Sequence, residues 1–138
     1  MSRYISDNLR SSIALKAHFR CEYCLIHEED QFFTFQVDHI ISLKHGGKTE
    51  FSNLVYTCSV CNQNKGSDLG TYLINSKRLI RLYHPGKDSW SSHFDIEYGE
   101  IIPKSLIGQA TIKVLDMNNI DRIILRQALT DEGRYPTK

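Results

Sequence analysis

Cysteine placement constrains this chain more than any other feature. Cys21-Glu-Tyr-Cys24 and Cys58-Ser-Val-Cys61 are two C-x-x-C pairs that together use all four cysteines of the 138 residues. A C-x-x-C turn delivers two thiolates from one knuckle, and a structural zinc wants four such ligands in a tetrahedron. The pattern therefore assigns Cys21, Cys24, Cys58 and Cys61 to one structural Zn²⁺, ahead of a redox-active pair or four independent buried thiols. Such an ion closes a loop of about 34 residues between Cys24 and Cys58, which a small core fixes poorly on its own.

The rest of the composition agrees with a metal rather than disulfides. Apolar residues make up 41% and charged residues 24%, values of a soluble globular chain. No apolar run reaches bilayer length, and the start, MSRYISDNLR, has no secretory apolar region. The expectation is a cytoplasmic, reducing setting with no membrane partner, where paired cysteines hold metals. The net charge of +1 neither requires nor excludes nucleic acid. Its distribution is uneven. Arg3, Arg10, Lys16 and Arg20 stand against Asp7 alone, whereas residues 21–40 hold Glu22, Glu28, Glu29, Asp30 and Asp38 and no Lys or Arg. Lys77, Arg78, Arg81 and Lys87 form a second basic stretch. The two basic stretches suit a phosphate-binding surface and a solvated face equally well.

Periodicity and punctuation predict a helix over 6–19, capped by Ser6 or Asp7, and an exposed acidic loop at 28–30. Residues 32–37 read as a strand running into Asp38-His39, and 53–57 as a second short strand. A helix follows from Cys58 to Lys65 and stops near Gly66. Beyond residue 70 the character changes. A strand is expected over 77–83, a hairpin around Gly99, and two helices through Ile107–Leu115 and Ile120–Ala128, the latter with an apolar stripe facing the core. The domain expectation is thus 1–70 as a core with N-terminal helix and zinc site, and 71–138 as an extension packed on it.

Between the cysteine pairs lie residues suited to phosphodiester hydrolysis. That reaction needs an activated water, neutralisation of phosphate charge and help for the departing 3′ oxygen. His39 has the intrinsic basicity to take a proton near neutral pH. Asp38 offers a hard oxygen ligand for Mg²⁺ or Mn²⁺, and Asn62, at the start of the predicted helix, offers a neutral one. Neighbours on a strand point to opposite faces, so Asp38 and His39 flank one phosphate only if the strand ends or bends there.

The run Val37-Asp38-His39-Ile40-Ile41, then Gly46-Gly47, Asn53-Leu54 and Cys58-x-x-Cys61-Asn62-x-x-Lys65-Gly66, resembles the HNH endonuclease family in its zinc-containing branch. The resemblance covers residues 21–66. It implies an α+β fold: a ββα-metal core with a structural zinc knuckle, flanked here by the N-terminal helix and a C-terminal hairpin-plus-helices extension. It implies His39 as general base, Asp38 and Asn62 as ligands of a catalytic divalent ion, and Asn53 as the brace of the loop that orients the base. The activity implied is hydrolysis of DNA, with RNA as an alternative substrate, leaving 5′-phosphate and 3′-hydroxyl ends. Asn62 departs from the histidine that many members carry, which hardens the site toward Mg²⁺ or Mn²⁺. The rival expectation is a zinc-stabilised nucleic-acid-binding module without catalysis. Asp88-Ser-Trp90-x-x-His93-Phe94 and Ile107-Gly108-x-Ala110-Thr111 also resemble the extension of a bacterial subgroup, with no mechanism implied. Trp90 and His93 read as a packed structural pair, His45 as an exposed loop residue, and Lys65 as a solvated helix end or a phosphate contact.

Overall fold

The chain was analysed as a computed structural model, which describes residues 4–136, so Arg3 of the N-terminal basic group lies outside the described residues. Its first helix, α1 (Asp7–Lys16), is capped by Ser6, whose hydroxyl accepts from the Leu9 N–H at 3.2 Å. That bond satisfies one of the amides a helix start leaves open. α1 buries Ile13 and Ala14 against the sheet that follows.

That sheet is a hairpin of β1 (Gln36–His39) and β2 (Leu54–Thr57), antiparallel with Asp38 opposite Val55 and His39 opposite Leu54. β1 is shorter than the sequence suggests. Gln36 pairs with Thr57, the last residue of β2, so residues 32–34 have no ladder partner. Phe32 and Phe33 are accordingly exposed, and only Phe35 turns inward, against Tyr56 at 5.5 Å. The acidic turn at 28–30 is also more than an exposed loop. Glu28 accepts from the Phe35 amide and the Tyr56 hydroxyl, and Asp30 pairs with Arg134 at 2.5 Å.

Cys58 follows β2 and caps the next helix, α2 (Ser59–Lys65), by accepting from the Cys61 N–H through its sulfur. Two antiparallel strands and this helix make the ββα unit. Beyond it, β3 (Gly70–Thr71) pairs with β4 (Ile80–Arg81). β4 is shorter than the expected 77–83 strand because β3 supplies only two partners and the Tyr83 amide bonds to the Thr111 hydroxyl instead. A short helix, α3 (Trp90–His93), leads into a hairpin of β5 (Phe94–Glu97) and β6 (Glu100–Pro103). Helices α4 (Leu106–Leu115) and α5 (Ile120–Asp131) close the chain, capped by Ser105 and Asn119.

One apolar core runs through both halves, from Ile13 and Leu54 to Ile101, Leu115 and Met117. The extension is pinned to the N-terminal half by Trp90, whose indole N–H donates to Tyr23 O at 2.8 Å, and by Tyr135, whose hydroxyl donates to Cys24 O at 2.8 Å. His93 bonds Ser105 and packs edge-on to Tyr83, so with Trp90 it is part of this packing. α5 overturns the expected stripe. Ile120 and Ile124 are 64% and 54% exposed, whereas Arg126 is fully buried with Leu129. Among the described residues, no helix is long and apolar enough to cross a membrane.

Candidate functional site

The four cysteines converge. Their sulfurs lie within 4.8 Å of one another, all four residues are buried, and Cys24 Sγ stands 3.8 Å from Cys58 Sγ. A tetrahedron with Zn–S bonds of about 2.3 Å has edges of about 3.8 Å, so the cluster has the dimensions of a zinc tetrathiolate. The thiols also disagree about their protons in the way such a set must. Hydrogen bonds from Cys21, Cys58 and Cys61 hold Cys24 well below the ordinary thiol value, while the same network and burial push Cys58 and Cys61 up. Four thiolates in one buried pocket repel one another, and a dication removes that conflict.

Two arginines of α5 answer the charge that remains. Arg122 donates from Nη2 to Cys61 Sγ at 2.9 Å and from Nη1 to the carbonyls of Leu115 and Asp116. Burial alone would lower its pKa, but the thiolate character of Cys61 and Cys24 raises it further. Arg126, one turn on, donates from Nε to Gly99 O at 2.6 Å and from Nη2 to Met117 O at 2.7 Å, and no carboxylate pairs it among the described residues. Four thiolates holding one Zn²⁺ would leave two negative charges, of which Arg122 answers one directly at Cys61, while Arg126 lies within electrostatic reach of Cys24 and Cys61. This accounts for the inverted stripe: α5 turns Arg122 toward sulfur, buries Arg126 on the carbonyls of Gly99 and Met117, and leaves isoleucines outside. The sequence carried a signal for it, since Arg122 and Arg126 recur at helical spacing inside an apolar run.

Asp38 and His39 sit where β1 ends and the chain bends toward a 3₁₀ turn at Leu43–His45. The strand end lets both side chains line one groove of about 460 Å³. His39 accepts little solvent, with its side chain 11% exposed, whereas Asp38 is 44% exposed. The His39 Nε2 lies 2.8 Å from the Thr49 hydroxyl, and its Nδ1 lies 3.9 Å from Asp38 Oδ1. Thr49, which the sequence did not single out, fixes the ring and leaves Nδ1 toward the carboxylate side.

Asn53 ends the loop joining β1 to β2, immediately before Leu54, and is buried. Its Oδ1 accepts from Ile41 N, and its Nδ2 donates to Ile41 O and Lys48 O, each at 2.9 Å. Gly47 completes the loop. A Cβ there would collide with Ile41 O and stand 2.7 Å from Asn53 Nδ2. His45 is exposed at the turn. Lys65 is neither solvated nor in the groove: it is buried and its Nζ donates to Ile40 O at 2.7 Å. Burial lowers its pKa, partly offset by Asp38. It thus clamps the segment that follows His39.

Asn62 is placed differently. Its amide Nδ2 donates to Gln36 Oε1. Gln36 and Asp38 project from the same face of β1, two residues apart, so Asn62 lies on the Asp38 side of the hairpin but one step along the strand. The groove brings Asp38 and His39 together, and Asn62 is not among its lining residues.

A two-stranded hairpin, a helix and a four-cysteine knuckle define the ββα-zinc class of domain. Residues 21–68 match the model of the HNH endonuclease family, and within that segment the four cysteines are placed as a zinc-binding site. No curated protein and no solved structure matches the chain.

Proposed function

We propose that the chain is a metal-dependent endonuclease that hydrolyses DNA, with residues 1–70 as its nuclease core and 71–138 as a buttress of the zinc site. The observation that carries this reading is the pairing of His39 and Asp38 in one groove, with the His39 ring pinned from behind by Thr49. The tautomer that donates Nε2–H to the Thr49 oxygen is the one that leaves Nδ1 to accept a proton. His39 takes a proton there from a water that attacks phosphorus in line with the 3′ oxygen. Asp38, with the Asn62 amide oxygen, would hold a divalent ion, Mg²⁺ or Mn²⁺. Such an ion supplies charge neutralisation on the phosphate and on the leaving oxygen. The phosphorus–oxygen bond on the 3′ side breaks, giving 5′-phosphate and 3′-hydroxyl ends. Asn53 and Lys65 act through the backbone, holding Ile40, Ile41 and Lys48 so that His39 keeps its direction. Zinc on Cys21, Cys24, Cys58 and Cys61 is structural and carries no step.

The test is nicking of supercoiled plasmid with added Mg²⁺ or Mn²⁺. The parent should nick, and His39→Ala should lose several orders of magnitude while still binding DNA. Nicking by His39→Ala at the parental rate would sink the assignment. Binding without nicking by the parent would point to a zinc-stabilised nucleic-acid-binding module.

A further inference from the structure

Three cations of the two basic stretches are already committed. Lys16 lies 3.3 Å from Glu22 and donates to Leu54 O, and Arg20 has partners of its own. Arg81 makes a two-point contact with Asp88 at 2.7 and 3.1 Å. Two cations remain on the groove that holds Asp38 and His39. They are Arg10, from α1, and Lys44, from the 3₁₀ turn after β1. Among the described residues neither has a carboxylate partner.

Arg10 is also pre-set. Its Nε donates to Ile5 O at 3.3 Å, and Ile5 is buried and lines the same groove. That bond roots the planar guanidinium, and among the described residues neither terminal nitrogen has a hydrogen-bond partner. A rooted guanidinium fork matches two phosphate oxygens, and a lysine lining the same groove supplies a point charge. Two cations against the single carboxylate of Asp38 leave an excess of positive charge in this groove, which suits an anionic occupant. α1 precedes the segment 21–68 that matches the family model, so this cation comes from outside the HNH unit itself.

We infer that Arg10 and Lys44 form a phosphate clamp that grips the nucleic-acid backbone beside the scissile bond, making α1 part of the substrate site. The inference rests on the nuclease reading above. The clamp binds the backbone through charge and carries no base readout. Its contribution is therefore to substrate affinity rather than to the chemical step.

The measurement uses the full chain with zinc bound, in a His39→Ala background so that DNA is not cut. Binding of a fluorescein-labelled DNA duplex is followed by anisotropy across a salt series. Each phosphate contact contributes about 0.9 to the slope of log affinity against log salt. Arg10→Gln and Lys44→Gln should each lower that slope by about 0.9 and weaken binding roughly tenfold at the lower salt. Arg10→Lys should keep the slope, and Lys77→Gln, on the distant loop before β4, should change nothing. In the catalytically intact chain, Arg10→Gln should raise KM roughly tenfold with kcat within about twofold. Unchanged slopes for both Gln variants would overturn the clamp and leave the nuclease reading intact. Failure of the His39→Ala protein to bind DNA at all would overturn the nuclease reading instead. Should Arg10→Gln misfold by circular dichroism, Lys44→Gln, on an exposed turn, decides the matter.

Discussion

Replacing Arg122 with methionine should loosen the zinc without removing a ligand. The guanidinium makes three bonds: Nη2 to Cys61 Sγ at 2.9 Å, and Nη1 to Leu115 O at 2.8 Å and Asp116 O at 3.1 Å. Leu115 O keeps a second donor, Asn64 Nδ2, at 2.8 Å, and Asp116 is exposed, so water can serve its carbonyl. The loss therefore falls on the buried Cys61 sulfur. A hydrogen bond from a charged donor is worth about 1.5–3 kcal/mol. Loss of an outer-shell partner typically weakens metal affinity about 10- to 100-fold, or about 1.4–2.7 kcal/mol. The two routes agree on about 2 kcal/mol. Competition between holo-protein and a chromogenic chelator should show zinc leaving Arg122→Met at 10- to 100-fold lower chelator concentration. Arg122→Lys should fall between, because an ammonium is a point charge that cannot span sulfur and carbonyl together. Zinc retention within about twofold of the parent would refute the charge-balance account, whatever happens to the melting temperature.

Thr49→Val should leave DNA affinity unchanged and lower kcat about 10- to 100-fold, read by single-turnover nicking, because the ring loses the bond that directs Nδ1. Gly47→Ala should destabilise the fold by about 1–3 kcal/mol in urea melts, since its methyl meets Ile41 O and Asn53 Nδ2. Asp88 sits at about 2 rather than 3.8 because Arg81 and then the His84 amide bond its carboxylate. A folded-state value below the unfolded one gives stability that is complete at pH 6 and drains away as pH falls from about 4 toward 2. Asp88→Asn should therefore cost about 1 kcal/mol at pH 6, a modest figure because Arg81 is half exposed, and much less at pH 3. Equal costs at the two pH values in matched urea melts would contradict this.

The site was legible to the extent that it is written in residue types with few uses. Two C-x-x-C pairs have little to do in a reducing setting except hold a metal, and the four sulfurs do converge. The ββα order followed from turn and strand punctuation. What escaped was whatever depends on which face of an element is turned inward. Arg122 and Arg126 hid in an apolar run, because counting hydrophobic residues selects the isoleucines and not the charges that a thiolate cluster draws in. Lys65 looked like a solvated helix end, yet the carbonyl of Ile40 takes it into the interior. Thr49 and Gln36 had no sequence signal at all. A threonine in a loop and a glutamine on a strand acquire roles only through what folding sets opposite them, His39 and Asn62. Strand ends were misjudged for a related reason, since a ladder stops where its partner stops.

The bond from the Tyr135 hydroxyl to the Cys24 carbonyl spans 111 residues, and the one from Arg122 to Cys61 spans 61. Both metal knuckles are synthesised long before the residues that cover them. As the chain leaves the ribosome, the four thiols emerge as an open, oxidisable set that can take zinc early but holds it under a finished roof only when the last turn of chain arrives. Order of synthesis and order of completion thus run apart in this protein. A chain cut before Tyr135 would carry every ligand and still lack the hydroxyl that covers the Cys24 carbonyl.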